Sequence, residues 1–285
     1  MLTKTKAAIV TTLFLSLGAQ ADTILNVATA GDQNMVDYVK TWLGPKFEAA
    51  HPGVKVRVIG TGPGDAGSNK ISEKLTAQQE SGAQQWDIDV AVVHQKAGGE
   101  QVAKGLLQKY RQDIQTGGMV SSPSATQALG VNVDGYVMPM FLSQTAIAWN
   151  SDLVTTPPAS YDELVAWTQK HPQAFGYNGI KNGMSGVSFV VGWIYAYGTD
   201  AQRLSAGPYD KSVEKGWQQA YEKLKAFNKN VTFTPGNAGT LDMLSRGEIA
   251  MGPVWVDMFY SWKDQGKLPP SIKLALLAPG MPGQP

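Results

Sequence analysis

A glycine-rich stretch carries the most recognisable chemical motif of the sequence. Gly62, Gly64 and Gly67 are spaced as G-x-G-x-x-G, and Asp87 follows Gly67 by about 20 residues, as in dinucleotide-binding loops. In such proteins the loop holds a pyrophosphate at a helix N-terminus, and an acid at the end of the next strand binds the ribose. Here Asp87 and Asp89 precede the apolar residues 90–93, so the acid lies at the wrong end of the strand. We therefore expect no nucleotide cofactor.

A loop of this kind can instead hold a small polar molecule, because backbone N–H groups point outward at a helix start. In open α/β sheets, ligands lie beyond the carboxyl ends of the strands. Loops at residues 30–34, 60–68 and 94–99 follow predicted strands and are rich in glycine and polar side chains. The candidate ligand-binding residues on them are Gln33, Asp65, Ser68 and His94. Ordinary turns are the alternative interpretation of each loop.

Nucleophilic and metal chemistry have weak support in the sequence. Ser212 and Lys215 form an S-x-x-K pair, but the S-D-N and K-T-G partners of that motif are absent. The three histidines lie far apart and there is no cysteine, so we expect no metal site. We expect no catalytic residues. Paired carboxylates cannot be assigned from spacing, so a secreted hydrolase stays open as the alternative of another class.

The first residues have the pattern of a secretory signal peptide. Lys4 and Lys6 precede an apolar stretch at residues 7–18, and Ala19-Gln20-Ala21 suits a signal peptidase. The stretch is shorter than the roughly 20 apolar residues that span a bilayer, and no cysteine near it could carry a lipid. We expect a periplasmic protein that begins at Asp22 and has no lipid anchor.

The composition favours a neutral protein with a large core. Lys and Arg total 24 against 23 Asp and Glu, which gives no electrostatic basis for binding nucleic acid or an anionic membrane. Because the 285 residues include no cysteine, stability must come from hydrophobic packing rather than disulfides. A chain of this length fits two lobes better than one.

Strand and helix patterns alternate in the first part of the chain. Predicted strands occupy residues 23–29, 54–59 and 90–93, the last wholly apolar as in a buried parallel sheet. A helix with a kink at Gly44-Pro45 lies between the first two, and a helix capped by Ser68 follows the second. This alternation predicts an α/β lobe with a parallel sheet.

The second part of the chain has a different pattern. A long, apolar, strand-like stretch at residues 135–150 precedes Ser160 and Glu163, which form a capping box at a helix start. Apolar residues from Val213 to Phe227 recur on one helical face, which we interpret as core packing.

Five stretches together resemble the periplasmic solute-binding proteins of ABC importers, a group that includes maltose, thiamine, polyamine and iron binders. They are FEAAHPGVKVRV at residues 47–58, WDIDVAVV at 86–93, the proline-containing strand and PP-x-S helix start within 135–167, RGEIAMGPVWVDM at 246–258 and KLALLAPGMPGQP at 273–285. The resemblance covers nearly the whole mature chain. It implies a type II two-lobed α/β fold, in which each lobe is a mainly parallel sheet flanked by helices and two strands cross between the lobes.

The resemblance also implies domain bounds and a function. We expect a signal peptide at 1–21, lobe one at 22–140, lobe two at 141–271 and a return to lobe one at 272–285. A monomer without enzymatic activity would capture a small solute between the lobes and deliver it to the membrane permease of an ABC importer. In the family the chain goes on to complete lobe one, whereas this sequence stops at Pro285. We expect the remainder to be missing, and the exposed apolar surface to make this chain poorly soluble.

Further candidate residues come from the resemblance. Trp255 matches a tryptophan that stacks on ligand in the sugar-binding branch, with core packing as the equal alternative. Asp257 could accept hydrogen bonds from a solute or cap the next helix. The remaining candidates are Asn182, Ser185 and Gly186 at a predicted helix start, for which an ordinary Asn-Gly turn is the alternative, and Gln144 in the first crossing. Trp255 slightly favours a sugar or polyol, whereas Asp257 suits an organic cation and the helix starts suit an anion.

Overall fold

The computed structural model describes residues 22–122, 125–140, 142–200, 203–204 and 210–283. The predicted signal peptide and Pro285 lie outside these residues. In the part of the chain that is described, no helix is both long and apolar enough to cross a bilayer.

Lobe one contains three parallel strands in the order β2-β1-β3. The strands are β1 (Thr23–Ala30), β2 (Val54–Gly62) and β3 (Val90–Val92). The helices are α1 (Gln33–Tyr38), α2 (Gly44–Ala50), α3 (Gly64–Glu80) and α4 (Gln95–Ala103), with a π-helical turn at Val39–Leu43 between α1 and α2. Because parallel strands need crossovers, the loops after β1, β2 and β3 meet at one edge of the sheet. Helix α3 covers one face, with Ala28, Ile71 and Leu75 at its core, and α4 packs against α3.

Two local predictions for lobe one were wrong. Helix α3 begins at Gly64 after Pro63, so Ser68 lies inside the helix, fully buried, instead of capping it. The proline ends β2 and its fixed φ suits a helix start. β3 is parallel as expected, but it lies at an end of the strand order, and Val90 is therefore 44% exposed rather than buried.

Lobe two contains a mixed five-stranded sheet in the order β10-β6-β9-β7-β8. Its strands are β6 (Thr145–Asn150), β7 (Phe175–Tyr177), β8 (Val231–Phe233), β9 (Met251–Trp255) and β10 (Ile272–Ala275). A separate two-stranded hairpin of β4 (Gln127–Ala128) and β5 (Val131–Asn132) precedes them in the chain and packs against α4 of lobe one. Its helices are α5 (Tyr161–Lys170), α6 (Met184–Tyr197), α7 (Gln218–Phe227), α8 (Asn237–Ser245) and α9 (Val256–Asp264). Successive residues of β6 face opposite sides, so Ile147 and Ala148 enter two separate core clusters.

The predicted cap at Ser160 is confirmed, but Glu163 binds the amide of the preceding residue instead of the Ser160 amide. Ser160 Oγ accepts a hydrogen bond from the Glu163 amide at 3.3 Å, and Glu163 Oε2 accepts one from the Ala159 amide at 2.9 Å. The long strand predicted at residues 135–150 was wrong in extent, since only Thr145–Asn150 forms β6. β6 pairs antiparallel with β10, so the strands of the two predicted crossings lie side by side, while their course between the lobes stays a prediction. The residue bounds of the lobes stay a prediction.

Candidate functional site

Two hydrogen bonds join lobe one to lobe two beyond the carboxyl end of β1. Asn237 Nδ2 donates to Asp32 Oδ2 at 2.9 Å, and Asn34 Nδ2 donates to Asp257 Oδ2 at 3.2 Å. Asp32 and Asn34 flank the start of α1, whereas Asn237 and Asp257 lie in the first turns of α8 and α9. We call these four side chains the interlobe site.

Asn237 is the centre of a buried polar network in lobe two. Its Oδ1 accepts hydrogen bonds from Asn178 Nδ2 and Ser185 Oγ, each at 2.8 Å, and from the Ser185 amide at 3.3 Å. All three side chains are at least nine-tenths buried. Because the lobe-two donors use Oδ1, the amide nitrogen of Asn237 is left to face Asp32. The network therefore fixes the orientation of the group that crosses to lobe one.

Glycines make the close packing of this network possible. A Cβ on Gly183 would lie 2.5 Å from both Asn178 Nδ2 and Asn237 Oδ1, and φ is +149° there. A Cβ on Gly186 would lie 1.9 Å from the Gly179 carbonyl oxygen. The structure thus gives Gly186 a packing role at the start of α6, and its predicted contact with ligand stays a prediction.

Asp257 acts as an acceptor at the interlobe site. Its Oδ1 accepts a hydrogen bond from Ser143 Oγ and its Oδ2 accepts one from Asn34. Helix α9 has no side-chain cap, so the capping role considered for Asp257 is wrong. The Oδ1 atom of Asn34 is buried and accepts no hydrogen bond from the described residues.

The Asp32 carboxyl has a perturbed pKa. Burial raises the pKa of Asp32 above its ordinary value, and the nearby Asp257 carboxylate raises it further. The hydrogen bond from Asn237 and the charge of His94 act in the opposite direction. The net rise means that ionised Asp32 is less well compensated at this site than it is in water.

The candidates of lobe one lie around the carboxyl edge of its sheet, but several have partners of their own. Ser68 Oγ and His94 Nδ1 are 3.3 Å apart, which ties α3 to the start of α4. Asp65 pairs with Lys96 at 3.3 Å. Gln33 Nε2 donates to Asp37 Oδ1 within α1 at 2.8 Å. The contact of these four side chains with a solute stays a prediction.

The glycine-rich loop has a structural explanation. A Cβ on Gly67 would lie 1.8 Å from the Gly62 carbonyl oxygen, so only glycine lets α3 pack against the end of β2. Asp89 Oδ2 accepts a hydrogen bond from the Asn26 amide at 2.7 Å, and Asp87 pairs with Lys74 at 2.6 Å. Both acids lie before β3, away from the carboxyl edge where an acid that binds a ribose would stand.

The other predicted ligand-binding residues of lobe two, Trp255, Gln144 and Asn182, lie in three different environments. Trp255 is 7% exposed and packs in a core cluster with Leu241, Leu244 and Phe259, an environment that favours core packing over stacking on a sugar. Gln144 has an exposed side chain, and Asn182 reaches the network only through its carbonyl oxygen, 3.5 Å from Asn178 Nδ2.

The sequence interpretation missed Asp32, Asn34 and Asn237. The first two belong to the loop at residues 30–34 that was assigned to the ligand edge, where Gln33 was chosen instead. Asn237 follows Gly236 at a helix start, just as Met184 follows Gly183. A glycine therefore stands directly before the first residue of both helices. This shared pattern in the sequence could have drawn attention to Asn237.

Two α/β lobes that meet through polar side chains define a two-lobed binding protein. The family model for bacterial extracellular solute-binding proteins matches residues 42–285, and the chain belongs to that family. A sequence comparison with curated proteins returns no match.

Solved structures share the fold at low sequence identity. Maltose-bound MalE3 of T. maritima has a TM-score of 0.66 at 15% identity, over 90% of this chain and 67% of that chain. The spermidine/putrescine ABC transporter substrate-binding protein PotD of Streptococcus pneumoniae has a TM-score of 0.62 at 14% identity, over 92% and 73%. Iron-bound HitA of Pseudomonas aeruginosa has a TM-score of 0.56 at 14% identity, over 89% and 69%.

Proposed function

We propose that this protein captures a small polar solute at the interlobe site and delivers it to the membrane permease of an ABC importer. Family membership supports the general role of a solute-binding component. The observation that carries the proposal is the pair of hydrogen bonds from Asn237 to Asp32 and from Asn34 to Asp257, which link the lobes beside the strand ends.

The arrangement supports capture by closure of the lobes. Domain closure around a ligand is an established mode of conformational change. A ligand shifts the equilibrium between the open and closed lobes only if it binds the two conformations with different affinity. Carboxylate and amide groups contributed by both lobes supply such a difference, because a solute can contact all of them only when the lobes are together.

The structure changes which solute classes have support. The preference for a sugar or polyol rested on Trp255, whose burial in the core weakens that support. Hydroxyl, ammonium and amide groups can all donate to Asp32 and Asp257. A small polar solute with hydrogen-bond donors is therefore the substrate that we propose.

The binding function is tested by thermal melting and calorimetric titration against a metabolite panel of sugars and polyols, amines, and organic acids. We expect at least one compound to raise the melting temperature and to be recovered unchanged. Turnover of that compound would support the hydrolase alternative, and the absence of any binder would refute the proposed function.

Export is a separate part of the proposal. We expect a monomer in the periplasm with its N-terminus at Asp22, without a lipid. Mass spectrometry of the exported protein should give the mass of a chain that starts there, and size-exclusion chromatography with light scattering should give a monomer. An intact Met1 would contradict the signal peptide.

A further inference from the structure

The two carboxylates of the interlobe site belong to opposite lobes. Asp32 comes from lobe one and Asp257 from lobe two, and each accepts a hydrogen bond from the other lobe. Both of these donors are neutral amides, and the donor from Ser143 to Asp257 is a neutral hydroxyl. The hydrogen bonds therefore orient the carboxylates without balancing their charge.

Positive charge close to the pair is limited. The charge of His94 lowers the pKa of Asp32 and so opposes the effect of Asp257. Lys96, on the neighbouring helix α4, lies 3.3 Å from Asp65 and 3.9 Å from Glu100, so its charge is offset locally. Lys70 donates to the Thr61 carbonyl oxygen at 3.1 Å. Among the described residues, no lysine or arginine forms an ion pair with either carboxylate of the site.

Asn34, whose amide contacts Asp257, brings a further acceptor to the interlobe site. Asn34 directs its amide nitrogen to Asp257, which leaves its buried Oδ1 without a donor from the described residues. A buried acceptor without a hydrogen bond is costly. Two carboxylates and one such amide oxygen form a set of acceptors that matches a group with several N–H donors and a positive charge.

We propose that the solute carries an ammonium group, which binds between Asp32 and Asp257 and draws the two lobes together. This inference rests on the proposed function and specifies its substrate class. An ammonium offers three donors and one charge, so it satisfies the Asn34 oxygen and removes the repulsion between the lobes. An anion is disfavoured despite the helix N-termini nearby, since it would add a third negative charge.

The panel gives the first test. Compounds are grouped by charge, with 1,4-diaminobutane, glucose and succinate each representing one class. We expect the tightest binders to carry an amine. If the tightest binder is a neutral sugar or an organic acid, the inference is wrong while the proposed function stands. If nothing binds, the proposed function itself fails.

Carboxamide variants give the second test, with the tightest amine as probe. Asp32→Asn and Asp257→Asn keep the size and an acceptor oxygen but remove the charge, and each should weaken binding by about 30-fold or more, as for a charge pair shielded from water. Asp264→Asn, at the far end of α9 and solvent-exposed, is the matched control and should bind as the wild type does. Unchanged affinity in both site variants would overturn the inference.

The pH profile separates a charge effect from a purely structural one. Asp32 faces Asp257, His94 and Asn237, and its pKa is raised, so a cationic solute should bind more weakly as the pH falls and Asp32 becomes protonated. Asp32→Asn should therefore flatten the profile. A wild-type affinity that is independent of pH between about 4 and 8, above the ordinary pKa of Asp, would contradict the role of Asp32.

Discussion

Replacement of Asn237 by alanine tests whether the buried network holds lobe two together and positions the contact with lobe one. The side chain is 6% exposed. Its removal takes away the acceptor for Asn178 Nδ2 and Ser185 Oγ, and the donor to Asp32. Ser185 Oγ lies 3.4 Å from Asn178 Oδ1 and can keep that partner. Among the described residues, Asn178 Nδ2 then retains only the Asn182 carbonyl oxygen, at 3.5 Å.

The expected loss of stability follows from these contacts. One buried donor left without a good partner costs about 1–3 kcal/mol, and the lost hydrogen bond to a charged group is of similar size. Since Asp32 sits at the lobe contact and can be solvated again when the lobes separate, part of the second cost is recovered. We therefore expect Asn237→Ala to lower the free energy of unfolding by about 2–4 kcal/mol.

Urea unfolding followed by circular dichroism measures this loss. Asn237→Asp is the informative partner variant, because it keeps the acceptor for Asn178 and Ser185 but presents a second carboxylate to Asp32. At low pH, the Asn237→Asp variant should lose less stability than the alanine variant, because the acceptor is kept. At neutral pH, its lobes should be further apart by small-angle X-ray scattering, because the new carboxylate repels Asp32. Asn69→Ala, on the exposed face of α3, is the control and should change stability by less than about 0.5 kcal/mol. A loss below about 1 kcal/mol in Asn237→Ala would refute the reasoning, since a single unpaired buried donor already costs that much.

Three further substitutions test other parts of the structure. Gly67→Ala should destabilise the protein by at least about 1–3 kcal/mol, because its Cβ would overlap the Gly62 carbonyl oxygen. Gly118→Ala is the control and should be neutral, since a Cβ there would have no atom within 4 Å. Equal urea midpoints for the two variants would disprove the packing role of Gly67. Burial raises the pKa of Asp32 above 3.8, the ordinary value of an aspartate, so the folded state binds a proton more tightly than the unfolded state does. Wild-type stability should therefore fall as the pH rises from that ordinary value through the raised pKa. Asp32→Asn should lose that slope and melt higher than the wild type at pH 7; parallel melting curves across pH would contradict this. Trp255→Ala should cost about 3–5 kcal/mol in the ligand-free protein, whereas weaker binding without a lower melting temperature would restore Trp255 to the site.

Local sequence patterns predicted the elements that depend on neighbouring residues. The alternation of apolar and charged residues in VKVRVI predicted β2, and the spacing of Ser160 and Glu163 predicted the start of α5, because a cap and its partner lie within one turn. The three ligand-edge loops were also predictable, since parallel strands place their carboxyl ends together. In these cases the interactions that decide the structure span only a few residues.

Contacts between distant parts of the chain could not be predicted in this way. Asn34 and Asp257 are separated by 223 residues and Asp32 and Asn237 by 205, so no spacing rule links them. The burial of Trp255 depends on α8 and α9 packing on the same side of β9, which is a property of the lobe and not of the RGEIAMGPVWVDM motif. The motif located the residue at the strand end but did not determine which way its ring points.

The strength of the contact between the lobes is consistent with a reversible clamp. Two hydrogen bonds that involve carboxylates contribute together about 3–6 kcal/mol at most, and the repulsion between Asp32 and Asp257 and the buried acceptor of Asn34 both reduce that sum. A shift of the lobes from almost always open to almost always closed requires about 5.5 kcal/mol of differential binding. The protein groups alone therefore fall short of permanent closure, and a solute that removes the repulsion and satisfies the acceptor supplies the difference. The same carboxylates that weaken the ligand-free contact thus make closure depend on the solute.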